Sequence, residues 1–238
     1  MPQPHTLIVG GSSGIGLASA RELLALGHRV TIAGRDAKRL EAARQAVSGD
    51  LATAVMDAAE TDHLPQAFAR LGALDHLVLA LGSGKGAGPF ASMALDDVRQ
   101  GFEEKFFPHF AVAQAALPSL RKDGSLTFVS AVTAHAAMPG TAGIGAANAA
   151  VAALVPILAA ELRPLRVNGV SPGVIDTPWW GFLDDAQKAA VFADYAAKTP
   201  VGRVGQPDDV AQAIALLVSN GFISGQMLIC DGGLRLGS

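Results

Sequence analysis

Three glycines with the spacing G-x-x-x-G-x-G stand in a short segment, TLIVGGSSGIGL, that leads from an apolar run into an amphipathic one. They are Gly10, Gly14 and Gly16, with Ser12 and Ser13 between them. Glycine lets a backbone come close to a phosphate, and the first turn of a helix offers free N–H donors and a partial positive charge. The spacing therefore predicts a pyrophosphate-binding turn of the kind that holds a dinucleotide. The alternative is a tight turn that binds nothing.

The end of the second predicted strand indicates which dinucleotide the turn would bind. A site that reads a free 2′-hydroxyl carries an acid there, whereas this chain has Gly34 followed by Arg35. A guanidinium is a planar, permanently charged fork that fits a phosphate. We therefore expect NADP(H) in preference to NAD(H). The alternative is that Arg35 is a solvated charge at a helix start, with Asp36 as a surface partner.

The elements that must position these residues alternate along the chain. Short apolar runs predict strands at Thr6–Val9, Arg29–Ile32, Ala52–Met56, His76–Ala80, Ser125–Val129, Arg166–Val170 and Met227–Ile229. Longer runs predict helices at Ile15–Leu26, Ala37–Ala46, His63–Leu71, Leu95–Leu117, Ile144–Leu162 and Asp208–Val218. Such alternation is typical of helices that cover both faces of a parallel sheet. We expect one Rossmann-type, doubly wound α/β domain in three layers over residues 1–238.

One segment, residues 178–200, is irregular and lies between a predicted strand and the next predicted helix. Its five aromatic residues, which include both tryptophans and the only tyrosine of the chain, are Trp179, Trp180, Phe182, Phe192 and Tyr195. The segment comes after the end of a strand, where open α/β sheets bind ligands. We expect a lid over the site. The alternative is that the aromatic side chains only fasten the insertion to the body.

Composition excludes several classes of protein. With 238 residues, 50% hydrophobic and 16% charged, the chain can build a large core and is not disordered. A net charge of −3 disfavours nucleic-acid partners. Cys230 is the only cysteine, and no His/Cys spacing suits a metal, so we expect a cytoplasmic protein without a metal site. The uncharged stretch Gly124–Ala160 is interrupted by Pro and Gly, and the N-terminus lacks a signal-peptide pattern, so we expect no membrane association.

Further segments, taken with the glycine turn, carry a resemblance to one family. Asp57 comes after the third predicted strand, Leu79–Gly82 ends the fourth, and Arg166–Gly173 with Asp176–Pro178 covers the sixth strand and the segment after it. The runs RVGQPDDVA and DGG come near the end of the chain. In this order and spacing the chain resembles the short-chain dehydrogenase/reductase family nearly from end to end. The resemblance implies a seven-stranded parallel sheet in one domain and, commonly, a homotetramer.

The resemblance also implies which residues would contact the cofactor. Asp57 would lie near the adenine, and Thr177 would donate its hydroxyl to the cofactor beside a segment that cradles the nicotinamide. The expected cofactor-binding residues are Gly10, Ser12, Ser13, Gly14, Ile15, Gly16, Arg35, Asp57, Ala80, Leu81, Gly82, Asn148, Pro172, Gly173, Ile175 and Thr177.

The four catalytic residues that the family uses are absent at the matching positions. Its Tyr, Lys, Ser and Asn fall at Ile144, Asn148, Ala131 and Lys105. Ile144 has no proton to give. Since the Asn and Lys are exchanged, we hypothesise that Lys105 reaches the nicotinamide end of the pocket from the other wall and serves as the acid, while Asn148 binds the ribose. The alternative is a surface lysine that snorkels beside Glu103 and Glu104.

Weaker catalytic candidates come after the Ser position. Thr133 and His135 could present a hydroxyl and an imidazole to the substrate, although His135 fits equally well as a loop histidine. Ser83 and Lys85 either line the mouth of the pocket or solvate a mobile loop. We expect the remaining histidines to be structural, and these are His5, His28, His63, His76 and His109.

These residues leave three functions open. The first is an NADP(H)-dependent oxidoreductase that acts on a small, apolar or aromatic carbonyl or alcohol with a non-standard acid. The second is a catalytically silent NADPH-binding sensor or interaction protein. The third is a lyase or dehalogenase without cofactor, against which the glycine turn and Arg35 argue. Because the helix Ile144–Leu162 is apolar on nearly all sides, we expect a homo-oligomer, dimer or tetramer.

Overall fold

A computed structural model of the chain describes residues 3–237. Residues 1, 2 and 238 lie outside this range. The predicted lack of a signal peptide therefore concerns a segment whose first two residues lie outside the described residues. The described residues form one seven-stranded sheet in the order β3-β2-β1-β4-β5-β6-β7, with every neighbouring pair parallel. The strands are β1 (His5–Val9), β2 (Arg29–Gly34), β3 (Leu51–Val55), β4 (Leu74–Leu79), β5 (Leu120–Val129), β6 (Arg166–Pro172) and β7 (Met227–Cys230). The predicted doubly wound sheet is confirmed.

Eight α-helices cover the sheet in the described range. They are α1 (Gly14–Ala25), α2 (Ala37–Gln45), α3 (Leu64–Leu71), α4 (Leu95–Glu104), α5 (Phe106–Ala116), α6 (Ala142–Glu161), α7 (Asp185–Lys198) and α8 (Pro207–Ser219). One apolar core joins a face of the sheet to α3, α5 and α6, through residues such as Phe68, Val112 and Val151. A second core joins the other face to α1, α2 and α8, through Leu23, Leu40 and Ile214.

The chain order of the strands reverses between β1 and β4, which are neighbours in the sheet. Connections leave in opposite directions from these two strands, so a crevice opens at their carboxyl ends. The glycine turn comes directly after β1, and Leu79–Gly82 lies at the end of β4. The fold therefore brings the segments with the strongest sequence signals to one edge of the sheet.

The prediction of one helix over Leu95–Leu117 is wrong, because the helix breaks into α4 and α5 at Lys105. Lys105 has φ −115° and ψ −66°, which are not regular helical values. Pro108 has no N–H, and its ring would clash with the carbonyl of Glu104 four residues earlier in a continuous helix. The break therefore changes the direction of the Lys105 side chain from the one that a continuous helix would give it.

The segment 178–200 is also more regular than predicted, since it contains a 3-10 turn at Pro178–Trp180 and the 14-residue helix α7. Asp184 caps α7, and its side chain accepts a hydrogen bond from the backbone N–H of Gln187 at 2.8 Å. The Gln187 side chain accepts in return from the Asp184 N–H at 3.2 Å. This capping box begins the helix.

Helix α6 has the length and composition of a membrane-crossing segment. In the fold it packs on β6 and β5 and against α4 and α5. Gly143, Gly145, Asn148, Val151 and Val155 are among its buried residues. Ile157 lies on the outer face and is exposed. The helix thus has one face against the sheet and one apolar face that the single chain leaves open.

Candidate active site

The glycine turn after β1 forms a narrow cradle. Gly10 has φ +86°, and a Cβ at this position would lie 2.5 Å from the carbonyl oxygen of Ala80. A Cβ on Gly16 would collide with the Gly10 carbonyl oxygen. Gly14 has φ +52° and faces the Thr177 side chain, whose Cγ2 would lie 3.2 Å from an added Cβ. Side chains here would fill the space between β1, β4 and the segment after β6.

The start of α1 is arranged to receive a negatively charged group. Ser13 has an extended backbone and, within the described chain, makes no side-chain capping hydrogen bond; the first turn of α1 likewise holds no acid. The first N–H groups of a helix lack partners inside the helix and carry partial positive charge. Ser12, Ser13 and Ile15 therefore lie where a pyrophosphate would be bound by backbone and hydroxyl donors.

Two arginines stand at the edge of this cradle. Arg35, directly after β2, is exposed. Arg39, one turn later in α2, was missed by the sequence reasoning, and its Nη2 donates to Ser13 Oγ at 3.2 Å. The Asp36 carboxylate caps α2, where it accepts from the backbone N–H groups of Lys38 and Arg39 at 2.9 and 3.1 Å. The available signal was a second arginine close to Arg35, in the first turns of the predicted helix that follows it.

The other predicted cofactor residues lie at the ends of neighbouring strands. Asp57 comes after β3, and its Oδ1 accepts from the Ala59 N–H at 3.0 Å. Ala80, Leu81 and Gly82 come after β4, and the Ala80 N–H donates to Val9 O at 2.8 Å. Pro172 ends β6. The next segment is fixed by the Gly173 N–H on Cys230 O at 3.0 Å and by a bridge between Ile175 and Gly205.

Lys105 lies inside the protein, with 5% of its surface exposed. Its Nζ donates to the carbonyl oxygens of Leu81, after β4, at 2.7 Å and of Val129, at the end of β5, at 2.8 Å. The alternative of a snorkelling surface lysine is therefore wrong. Burial disfavours the charged form and lowers the pKa of Lys105 to about 7. The amine is balanced between its two protonation states near neutral pH.

Asn148 lies on α6, one turn after Ile144, and is 3% exposed. Its Nδ2 donates to Thr133 Oγ1 at 3.1 Å and to Ile144 O at 3.0 Å. Its Oδ1 is buried and has no hydrogen-bond partner among the described residues. The neighbouring Ser130 Oγ donates to Asn148 O at 2.8 Å, so this hydroxyl is already engaged.

Thr133 and His135 both come after β5 but differ in their surroundings. Thr133 is half-buried in a 3-10 turn and accepts the hydrogen bond from Asn148, so its own O–H is free to donate. His135 is exposed, and its pKa is lowered by partial burial and then by the positive charge of Arg235. Ala131 precedes this turn in extended conformation. The structure thus joins Asn148 to Thr133 and leaves His135 at the surface.

The aromatic segment contacts the loop after β4. Trp179 Nε1 donates to Ser83 O at 3.3 Å, and the indole lies 3.7 Å from the Cβ that Gly84 would carry. Trp180 packs edge-on against Trp179, with ring centroids 4.7 Å apart, and against Phe192 at 5.6 Å. The segment both fastens to the body and reaches across to the β4 side, so its two sequence interpretations are compatible.

Comparison with known proteins places this geometry in a family. The sequence family described as enoyl-(acyl carrier protein) reductase matches residues 9–235. The 3-oxoacyl-(acyl-carrier-protein) reductase FabG of Rickettsia bellii is 30% identical over 236 residues, covering 97% of this chain and 96% of the relative. The chain therefore belongs to the short-chain dehydrogenase/reductase family, whose relatives are reductases and oxidoreductases.

Two solved structures are similar over nearly the whole chain. One is the NADPH-bound short chain oxidoreductase from Pseudomonas aeruginosa PAO1, described as containing an atypical catalytic center, with 30% identity, a TM-score of 0.88 and 98% coverage of both chains. The other is a small-chain dehydrogenase in complex with NADPH, with 26% identity, a TM-score of 0.86 and coverage of 99% of this chain and 100% of that one.

Proposed function

We propose that this protein is an NADP(H)-dependent oxidoreductase that interconverts a small carbonyl compound and its alcohol, with Lys105 as the proton donor and acceptor. The observation that carries the proposal is the buried amine of Lys105, hydrogen-bonded to Leu81 O and Val129 O at the strand ends that face the crevice. The family-typical positions Ala131 and Ile144 offer no titratable group.

The residues around the glycine turn fit the cofactor. The cradle of Gly10, Gly14 and Gly16 and the uncapped start of α1 suit the pyrophosphate, while Arg35 and Arg39 suit a 2′-phosphate. The Oδ1 of Asn148, which no described residue contacts by a hydrogen bond, suits a ribose hydroxyl. When bound, the cofactor supplies or takes up the hydride. Two structural relatives hold NADPH, which supports the proposal for this chain.

Lys105 would handle the proton. In carbonyl reduction the substrate carbon gains a hydride and its oxygen gains a proton, which the ammonium of Lys105 gives up. Two backbone carbonyls take two of the three N–H donors, which leaves one for the substrate. A pKa of about 7 suits both transfer directions near neutral pH.

Thr133 would orient the substrate oxygen. Because its hydroxyl oxygen accepts from Asn148 Nδ2, its proton points away from that bond and is available to a carbonyl in the crevice. Asn148 is then a positioning residue for Thr133. The exposed rings of Trp179 and Phe182 at the mouth favour an apolar or aromatic carbonyl compound.

The first experiment is titration of the pure protein with NADPH and NADH, followed by NADPH oxidation with a panel of ketones, diketones and quinones. We expect NADPH to bind and at least one substrate to turn over, with a rate lowered at least about 100-fold in Lys105→Met. Lys122→Met is the matched control, since Lys122 is exposed near the start of β5, away from the strand ends.

Two results would overturn the proposal in different ways. Unchanged turnover in Lys105→Met removes Lys105 from the reaction but keeps the oxidoreductase. Tight NADPH binding without turnover of any substrate favours the silent sensor. The supporting observation for a sensor is that Lys105 is buried and already donates two hydrogen bonds to backbone carbonyls, as a purely structural lysine would.

A further inference from the structure

His109 is a buried titratable residue that the proposed reaction does not use. It lies on α5, four residues after Lys105, and is 0% exposed. Its Nδ1 lies 2.6 Å from the carbonyl oxygen of Lys105, and its Nε2 lies 3.3 Å from Leu79 O, at the end of β4. The ring stacks on Phe128 of β5, with centroids 6.1 Å apart and an interplanar angle of 29°.

The contacts define which nitrogen carries the proton. Burial and the positive charge of Lys105 lower the pKa of His109 to about 3, so the imidazole is neutral and has one N–H. A lone pair cannot face a carbonyl oxygen at 2.6 Å without repulsion, so Nδ1 is the donor. With the proton on Nδ1, Nε2 carries a lone pair and makes no hydrogen bond to Leu79 O at 3.3 Å, so the Nδ1–H bond to Lys105 O is the one that holds the ring.

This bond acts where the backbone is irregular. Lys105 lies between α4 and α5, and its carbonyl oxygen accepts the backbone N–H of His109 only at 3.4 Å. The imidazole supplies the shorter bond to the same oxygen. At the other end of Lys105, Leu81 O and Val129 O hold the amine. The backbone of Lys105 is thus held by His109, and its side chain is held by Leu81 O and Val129 O.

We propose that His109 is a positioning residue for Lys105: its Nδ1–H bond fixes the peptide at the α4–α5 break, so that the amine stays between Leu81 O and Val129 O. This inference rests on the proposed function, since it concerns the same proton-transfer group. It needs a hydrogen-bond donor at position 109 and a lysine at the break between α4 and α5.

The neighbours of Lys105 allow this role to be isolated. His109 faces it from α5 and is neutral, while the segments that end β4 and β5 contribute the uncharged carbonyl groups of Leu81 and Val129. Glu104 precedes it on α4, but its carboxylate accepts from Ser83 Oγ and Gln100 Nε2, both at 2.9 Å. A change in the proton affinity of Lys105 on replacing His109 therefore reports a change in the position or solvation of the amine.

The test compares three variants that differ in where a donor stands. His109→Asn can place an amide N–H at the Nδ1 position, His109→Gln places it nearer the Nε2 position, and His109→Phe keeps the flat ring against Phe128 without a donor. We expect His109→Asn to keep kcat within about twofold, and the other two to lower it about tenfold with an unchanged Kd for NADPH.

A second readout does not depend on turnover. The free energy of unfolding is measured against pH for each variant with and without Lys105→Met. A lysine with a lowered folded pKa makes the folded state bind fewer protons than the unfolded state between about pH 7 and 10.5, so the difference between the two curves rises with pH in that window. The lower edge of the rise reports the pKa of Lys105.

We expect this edge to stay near pH 7 in His109→Asn and to move up in His109→Gln and His109→Phe, because a loosened amine gains water. An unmoved edge in His109→Phe, or an equal shift in all three variants, overturns the inference. If His109→Phe does not fold, the comparison of Asn with Gln decides. Normal turnover in Lys105→Met would remove Lys105 from the proposed reaction but keep the oxidoreductase, while the stability readout would still test the contact between His109 and Lys105.

Discussion

Lys105 is a lysine whose two protonation states are close in free energy at neutral pH. It gains two hydrogen bonds from backbone carbonyls, which favour the ammonium, and loses hydration, which disfavours it. Desolvation is the larger effect, so its pKa falls to about 7. An ordinary surface lysine would remain charged and would return a proton to water too slowly to act as a base.

The pH dependence of turnover is set by this value. Carbonyl reduction needs protonated Lys105, so kcat for reduction should fall above about pH 7, approaching tenfold per pH unit. Alcohol oxidation needs the neutral amine, so its kcat should rise with pH below about pH 7 and level off above it. Steady-state rates in both directions between about pH 5.5 and 9 measure this. Lys105→Arg, which does not titrate there, should give a low and flat profile; an identical limb in that variant would assign the titration to another group.

Arg35 tests the cofactor preference at the level of one side chain. Arg35→Ala should raise the Kd for NADPH about 10-fold to 30-fold and leave that for NADH within about twofold, because only NADPH has the 2′-phosphate. Fluorescence titration with both cofactors measures the change. Arg44→Ala is the control, since Arg44 lies on α2 and is paired with Glu41 at 2.6 Å. An equal loss for both cofactors would show that Arg35 does not read the phosphate.

At the scale of elements, the sequence indicated each strand of the sheet but not every helix boundary. Period and turn residues located the strands because each is a short apolar run between breaks. The sequence analysis did not predict the break between α4 and α5, although Pro108 lies close to it. A proline predicts that the helix is interrupted but not in which direction the chain turns. The burial of Lys105 depends on the direction of that turn, so the hydrophobic periodicity of the sequence could not predict the burial.

Helix α7 was missed for a different reason. Its capping box, Asp184 with Gln187, is present in the sequence, but the aromatic content of the segment is also typical of a lid. The position of the glycine turn and of the strand-end residues at one edge of the sheet was predictable, because their spacing reflects local backbone geometry. The link between Asn148 and Thr133 was not, since it joins α6 to the turn after β5 across 15 residues.

The contact between the aromatic segment and the loop after β4 predicts that its loss speeds the release of the cofactor. Trp179→Phe keeps a ring over Gly84 but removes the Nε1 bond to Ser83 O, so NADPH should dissociate about 3-fold to 10-fold faster. Stopped-flow displacement measures the rate. Trp180→Phe is the matched control, because Trp180 Nε1 donates to Ile175 O within its own connection. Equal dissociation rates in the wild type and Trp179→Phe would show that the contact does not retain the cofactor.

At the scale of the whole molecule, the edge of the sheet opposite the crevice carries a buried histidine group. His5 Nε2 contacts Thr31 Oγ1 at 2.8 Å, and His76 Nδ1 contacts Ser125 Oγ at 2.8 Å. His28 lies 5.5 Å from His76 between ring centroids. Burial lowers the pKa of all three, that of His76 to about 4.

These histidines predict sensitivity to acid. Below about pH 6.5 the unfolded chain binds more protons than the folded state, so the free energy of unfolding should fall between about pH 6.5 and 4 by up to about 1.4 kcal/mol per pH unit for His76. His5 and His28 contribute with the same sign, because their pKa values are also lowered. Urea unfolding across this range measures the slope. His76→Asn should flatten it, whereas His63→Asn, an exposed residue beside Glu60, should not. The same slope in wild type and His76→Asn would contradict the assignment.

The outer face of α5 and α6 bears on the assembly of the molecule. Phe107, Phe110 and Ile157 are 49%, 44% and 58% exposed on two helices that pack against each other. Large apolar side chains grouped on one face are typical of an interface, and a second copy of the chain would cover them around a two-fold axis. We therefore expect a dimer or tetramer in solution.

Ile157→Lys should lower the mass measured by light scattering, because a buried, unpaired ammonium in a two-fold interface is strongly unfavourable. Leu26→Lys, an equally exposed site at the end of α1, should leave the mass unchanged. A monomeric wild type, or an Ile157→Lys variant with the wild-type mass, would show that this face is not the interface.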